Sequence, residues 1–252
     1  MNILLTNDDG IYAEGLWALN SHLAKRHSVT IVAPDREKSA VGHGITLHEP
    51  LCVSGVYPEH RGYAVNGTPA DCIKLGILEI ADSRPDMVIS GINPGTNLGS
   101  SMNYSGTVAA AKEAALYGFP AIAVSVHVPP GSVPDYEYPA CLAADIAQRV
   151  FERGLPFGTI LNVNFPGIPA EKIAGIRITR QHVDIFHDYY EKRTDPRNRE
   201  YYWLGGDIRN FGSDPEVDGV AVSHDYISIT PVRCDMTDYN MLEVLGTWDI
   251  KP

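Results

Sequence analysis

Up to about residue 165, short apolar runs alternate with stretches of helical spacing. Asn2 to Thr6 contains Ile3-Leu4-Leu5 and predicts a buried strand, stopped by the turn residues Asn7-Asp8-Asp9-Gly10. Leu16, Leu19 and Leu23, with Trp17 alongside, predict a helix over Gly15 to Leu23. Val29 to Ala33 predicts a second strand, closed by Pro34-Asp35. Ile45 to Val53 and Gly62 to Val65 read as extended. Thr68 then caps a helix from Pro69 to Ile80, with Asp71 at its third position as a partial capping box. Met87 to Ser90 is a third short buried strand, followed by a long polar loop over 91–104. Ser105 caps a helix beginning Gly106-Thr107, which Gly118 and Pro120 end. Ala121 to Val128 predicts a strand, Pro139 to Phe151 a helix and Gly158 to Val163 another strand.

Strand followed by helix, repeated, predicts an α/β fold: three layers, Rossmann-like, around a mostly parallel sheet. That core spans 1–165. Residues 166–252 have a different texture and predict a β-rich extension or oligomerisation arm with a closing C-terminal helix. Ile176 to Thr179, Val183 to Tyr190 and Tyr226 to Thr230 read as extended, 191–200 as a charged solvated tip, and Thr237 to Leu245 as the helix. In parallel sheets ligands gather beyond the C-terminal strand ends. Three polar loops leave such ends, at 7–10, 34–44 and 90–104, and are expected to converge.

Composition narrows the chemistry. Lys plus Arg total 20 against 31 Asp plus Glu, a formal charge of −11, so the chain carries no electrostatic footprint for nucleic-acid polymers. It has no apolar run long enough for a transmembrane helix, and MNILLTNDDG lacks the basic start of a signal peptide. Cys52, Cys72, Cys141 and Cys234 are widely spaced and form no CxxC, which fits reduced thiols in a cytoplasmic protein.

The loops hold the candidate chemistry. Adjacent Asp8 and Asp9 read either as helix-capping turn residues or as half of a metal site, because two like charges side by side need a neutralising partner. Ser39 alone reads as a loop serine, and Asn93 and Asn97 as turn formers. The Gly-rich loop matches neither GxGxxG nor GxxxxGK[ST], which leaves a dinucleotide or ATP loop unsupported. Together these loops supply two carboxylates, a hydroxyl and an amide, a hard-oxygen set suited to Mg2+ or Mn2+. The helix N-terminus at Ser105, Gly106 and Thr107 favours a phosphate. The combination suits hydrolysis of a phosphate monoester.

Several motifs occur in order: ILLTNDDG at 3–10, VAPDREKSAVGHGITL at 32–47, GTPADC at 67–72 and PDMVISGINPGTNLG at 85–99. YSGTVAAAKEA at 104–114, GFPAIAVS at 118–125, LNVNFP at 161–166 and YISITP at 226–231 follow. In these the chain resembles the stationary-phase survival proteins, the SurE family of 5'/3'-nucleotidases. The resemblance implies one divalent cation per subunit on Asp8, Asp9, Ser39 and Asn93, and hydrolysis of nucleoside monophosphates, with short polyphosphate in some members. Asp8 and Asp9 would be the catalytic acids, one as base or nucleophile. Asn97, Ser105, Gly106 and Thr107 would hold phosphate oxygens. It also implies a dimer or tetramer built with a projecting arm, which 185–205 would form.

His43, in VGHG, reads as a substrate-side group or a plain loop residue. His182 and His187 are five apart, on opposite faces of a strand, which argues against a second metal. His127 reads as structural. Trp17, Tyr201, Tyr202 and Trp203 read as core or interface residues, one of which could stack on a nucleobase. Two other readings compete: a haloacid dehalogenase-like phosphatase, although NDDG lacks its D-x-D spacing, and a non-catalytic nucleotide-binding module.

Overall fold

The computed structural model describes residues 1–56, 62–183, 188–206 and 211–250. His187 and part of the strand expected from Val183 lie outside these residues.

The chain begins β1 (Asn2–Thr6), α1 (Glu14–Leu23), β2 (Ser28–Pro34), β3 (Val53–Val56), β4 (Gly62–Val65) and α2 (Pro69–Leu75). It continues β5 (Met87–Pro94), α3 (Gly106–Leu116), β6 (Ala121–Val126), α4 (Glu137–Arg153) and β7 (Thr159–Phe165). The last elements are β8 (Gly175–Ile178), β9 (Asp188–Thr194), β10 (Glu200–Gly206), α5 (Asp218–Ser223), β11 (Tyr226–Arg233) and α6 (Tyr239–Leu245).

Among the described residues one sheet of nine strands runs β3-β4-β2-β1-β5-β6-β7-β11-β8. β4, β2, β1, β5, β6 and β7 are parallel; β3 and β11 enter antiparallel to their neighbours β4 and β7. One face packs Ile3, Leu5, Ile89 and Val124 against Leu16 and Leu19 of α1 and Ala143 and Ala147 of α4. The other packs Leu4, Val88 and Ala123 against Ile73 of α2 and Ala110 and Ala114 of α3. Burial on both faces explains why these strands read as continuous apolar runs rather than alternating ones.

The three-layer α/β expectation matches this architecture. Several element ends differ. The helix expected over 69–80 is α-helical only to Leu75 and continues as a π-helical turn over Gly76–Ile80. A Cβ at Gly76 would sit 2.8 Å from the Leu4 methyl groups, so the turn packs closely onto β1 and a larger residue would have to displace Leu4. β5 runs four residues past Ser90, because Ile92 is fully buried. The piece expected over 45–53 forms a strand only from Val53, and the strand expected to reach Val128 stops at Val126. α5 was not expected at all; six residues are too few to display a helical period.

Past residue 165 the chain does not leave the sheet at once. β8 and β11 extend it, so the boundary expected at 165 runs through one continuous sheet. Among the described residues β9 and β10 pair only with each other, as an antiparallel hairpin whose Tyr189, Tyr190, Tyr202 and Trp203 are exposed. The charged tip expected over 191–200 is therefore partly strand, with only 195–199 as its turn. α6 is capped by Asp238, whose side chain accepts from the Met241 amide at 3.0 Å. Trp17 packs at the edge of the core and donates its indole N–H to the Ile11 carbonyl at 2.6 Å, a structural role.

Candidate metal and phosphate site

β1 delivers the acidic pair. Asn7 closes the turn after it: its amide donates to the Gly10 carbonyl at 2.9 Å and its Oδ1 accepts from the Gly10 amide at 3.2 Å. The turn chemistry is thus done by Asn7, leaving both aspartates free for other work. Neither caps a helix, because α1 begins after Ala13 with no side-chain cap. The capping reading of Asp8 and Asp9 therefore fails.

Asp8 is buried and is met by the start of α3. The Thr107 hydroxyl donates to its Oδ1 at 2.5 Å. A Cβ at Gly106 would stand 2.7 Å from the Asp8 Cβ, so glycine is what lets the helix close on the carboxylate. The N-terminal end of α3 favours negative charge there. Burial nevertheless pushes the Asp8 carboxyl above its ordinary range, against the Thr107 bond and the Gly106 and Thr107 amides. Asp9 is pushed up to about 7, first by burial, then by the charges of Asp8 and Glu37. Its Oδ2 is buried and has no hydrogen-bond partner.

β2 ends in the loop that carries Ser39. The Lys38 amide donates to the Asp8 carbonyl at 2.7 Å, which brings this loop to the acidic turn. Ser39 is exposed, and its hydroxyl donates to Glu37 Oε1 at 2.7 Å. Asn93 arrives by a bulge. Ser90 pairs with Ala123 and Asn93 with Ser125, so three steps on β5 match two on β6. Gly91 makes this possible with φ 138°, at a point where a Cβ would lie 2.4 Å from the Val124 carbonyl oxygen. The Asn93 amide donates to the Gly95 carbonyl at 2.6 Å, fixing the side chain and leaving its Oδ1 available.

Asp8, Asp9, Ser39, Asn93, Asn97 and Ser105 line one cavity of about 410 Å3, together with Glu37, Ser101 and Tyr104. The three expected loops thus meet. Asn97 is held on three sides: its amide N–H by Asn164 Oδ1 at 2.8 Å, its Nδ2 on the Ser125 hydroxyl at 2.8 Å, and its carbonyl by Asn162 at 2.8 Å. Ser105 caps α3 by accepting from the Val108 amide at 3.1 Å. Thr107, fully buried, is turned to Asp8 rather than to open space. His43 does not line the cavity; it bonds Glu113 at 2.7 Å.

Sequence reasoning missed the supports. Asn162 and Asn164 alternate within an otherwise apolar strand, a signal that polar side chains on one sheet face serve a neighbour. Glu37, in the polar loop over 34–44, brings a third carboxylate to the cavity. Tyr136, outside the cavity lining, feels Asp9: burial first, then the charges of Asp9 and Glu14, push its phenol up to about 12.

The donor set suits a hard divalent cation. Two carboxylates pushed up by burial, one of them also by neighbouring charge, with a partnerless oxygen, a hydroxyl and an amide oxygen beside them, are what such an ion relieves. Among the described residues no group of three or more His, Cys, Asp or Glu is arranged as metal ligands, so a cation here would complete its shell with the neutral oxygens of Ser39 and Asn93.

The comparisons with known proteins identify the family and the fold. A family model described as Survival protein SurE matches residues 3–188. The 5'-nucleotidase SurE of Desulfatibacillum aliphaticivorans is 51% identical over 256 residues, covering 100% of this chain and 99% of the relative. That of Geobacter sulfurreducens is 47% identical, covering 99% and 94%. The crystal structure of a SurE protein from Aquifex aeolicus superposes with a TM-score of 0.85 at 37% identity, covering 98% of each chain. With the motifs, the site and the fold all in one order along the whole chain, the protein belongs to the SurE family.

Proposed function

We propose that the protein is a nucleotidase that hydrolyses nucleoside 5'- or 3'-monophosphates to nucleoside and phosphate with one divalent cation, Mg2+ or Mn2+, and that short polyphosphate is a further substrate. The observation that carries this reading is the partnerless Oδ2 of Asp9, buried beside Asp8 in a cavity that also presents the Glu37 carboxylate, hydroxyls and amides. The relatives' activity supports the same substrate class.

Asp8, Asp9, Ser39 and Asn93 would hold the cation. Bound there, it would supply charge to polarise the phosphoryl group and acidify a water. Asn97 and Ser105 line the wall where the phosphate oxygens would lie, and the α3 amides would stabilise charge growing on them. Thr107 acts one step back: its hydroxyl fixes the Asp8 carboxylate in one orientation. Asp8, so fixed, serves as a ligand. Asp9, whose Oδ2 has no partner among the described residues, is the better placed of the two to meet the ion and a water beside it.

Cytoplasmic placement and a dimer or tetramer joined through β9 and β10 belong to the same reading. The exposed aromatics of that hairpin support the second. Among the described residues no helix is long and apolar enough to cross a membrane.

The test is phosphate release from 5'-AMP, 3'-AMP, other nucleotides and short polyphosphate, with Mg2+ or Mn2+ and with chelator. Release that needs the cation is expected. Tight nucleotide binding without release would leave a binding module, and a trapped phosphoaspartate would point to the haloacid dehalogenase type.

A further inference from the structure

Glu113 is a buried acid in an alanine-rich helix, and the hydrolytic reading does not use it. It lies in the second half of α3, where a carboxylate taken from water costs free energy unless it is paired. It has two partners. His43 Nε2 meets its Oε2 at 2.7 Å, and Lys74 Nζ of α2 meets its Oε1 at 2.9 Å. Lys74 alone would neutralise it. What the imidazole adds is a tie to the loop after β2, four residues from Ser39.

That loop needs ties. It is irregular from Asp35 to Cys52. Ala40 stands at φ 57° and Gly42 at φ 60°, and a non-glycine residue there persists only where its surroundings hold it. The holds nearest Ser39 lie in a row: the Lys38 amide on the Asp8 carbonyl at 2.7 Å, the Gly42 amide on the Tyr104 carbonyl at 2.9 Å, and the Thr68 hydroxyl on the Gly44 carbonyl at 2.8 Å, with Thr46 bonded to Asp71 farther along. Between the Gly42 and Gly44 holds, His43 to Glu113 is the side-chain bond that fastens the loop to α3. The same helix fixes Asp8 through Thr107. One rigid element therefore sets both Asp8 and the loop of Ser39.

We propose that His43 and Glu113 form a clamp that positions the Ser39 loop against α3, so that Ser39 and the acidic pair face a divalent cation together. This rests on the metal reading above. His43 is then a positioning residue, not a substrate contact. Ligands held by an ordered outer contact lose less freedom on binding, and breaking such contacts weakens a metal site.

The test is calorimetric titration of Mn2+ into the purified full chain, as wild type, His43→Ala, His43→Gln and Glu113→Gln, alongside kcat and KM for 5'-AMP. The Gln at 43 keeps a donor of similar reach. Expected are roughly tenfold weaker Mn2+ binding in His43→Ala and substantial recovery in His43→Gln. KM at saturating Mn2+ should stay near wild type. Because Lys74 still pairs Glu113, the melting temperature of His43→Ala should hardly move. Wild-type Mn2+ affinity in His43→Ala, or a raised KM at saturating Mn2+, overturns the clamp alone. A wild-type chain that takes up no Mn2+ overturns the metal reading and the clamp with it. If Glu113→Gln melts far below wild type, the His43 pair still decides the matter.

Discussion

Asp8 and Asp9 at the start of α3, and Asp71 and Glu113 on α2 and α3, are all carboxylates taken wholly or largely out of water, yet their surroundings treat them oppositely. Burial pushes Asp8 up, and burial followed by the charges of Asp8 and Glu37 pushes Asp9 up. Glu113 is held below its ordinary range by the His43 bond first, then by Lys74, against its burial. Burial pulls Asp71 upward, but bonds from Thr68 and Thr46 outweigh it. Asp71 closes the reciprocal capping box of α2 with Thr68 and also takes the Thr46 amide and hydroxyl. An acid that the chain satisfies by itself is structural. An acid pair that the chain leaves unsatisfied needs something from outside, and that need is the signature of the site.

The largest expected contrast is in turnover. Asp9→Asn or Asp8→Asn should lower kcat/KM for a nucleoside monophosphate by roughly 10³-fold or more, since several kcal/mol of transition-state stabilisation go with the ion and the water beside it. Glu113→Gln, which acts through cation affinity, should lower it by roughly tenfold at limiting Mn2+ and leave it near wild type at saturating Mn2+. Comparable losses in Asp9→Asn and Glu113→Gln, measured by phosphate release at saturating Mn2+, would erase the distinction between the two pairs.

A smaller contrast appears in stability. Without divalent ions, Asp9→Asn should melt roughly 2–4 °C above wild type, because the repulsion with Asp8 and Glu37 is gone and a partnerless buried charge with it. Adding Mn2+ should raise the wild-type melting temperature by mass action and leave Asp9→Asn nearly unmoved. Scanning calorimetry with and without chelator reads both. A metal-free Asp9→Asn that melts below wild type would mean that the carboxylate already has a partner within the chain.

Much of this was legible in the residues, and what was not has a common physical cause. β1, β5 and β6 could be read because strands buried on both faces are apolar runs bounded by turn residues. The meeting of the three loops followed from parallel topology alone. The aim of individual side chains did not. Thr107 and Gly106 look like phosphate binders by position on a helix start, but the helix approaches so closely that one hydroxyl is taken by Asp8 and the other residue is there for want of a Cβ. The bulge that presents Asn93 depends on contact with β6, 30 residues later, and the break in the helix after Leu75 on contact with Leu4. His43 reads as a free loop histidine until α3 is placed beside it. Local pattern encodes elements and turns; close approach between distant elements decides which polar group faces which.

The smallest expected effect separates the satisfied acids from the rest by pH. Glu113 and Asp71 have unfolded values near 4.5 and 3.8 and lie lower in the folded chain. Each is therefore more readily protonated when unfolded. Their stabilising contribution is complete above about pH 4.5 and is lost as the pH falls through their depressed folded values. Glu113→Gln carries no charge at this position at any pH, so it should lack part of the acid loss. Between pH 5 and pH 3 the fall in melting temperature should be about 1–2 °C shallower than in wild type, a small difference because water at the His43 side screens the pair. Asp71→Asn should flatten the same limb while also weakening the α2 cap and the hold on Thr46, costing about 1 kcal/mol at neutral pH. Matched acid limbs for wild type and Glu113→Gln would show that His43 and Lys74 do not hold the Glu113 charge, and the division between the two sets of carboxylates would fail at its structural half.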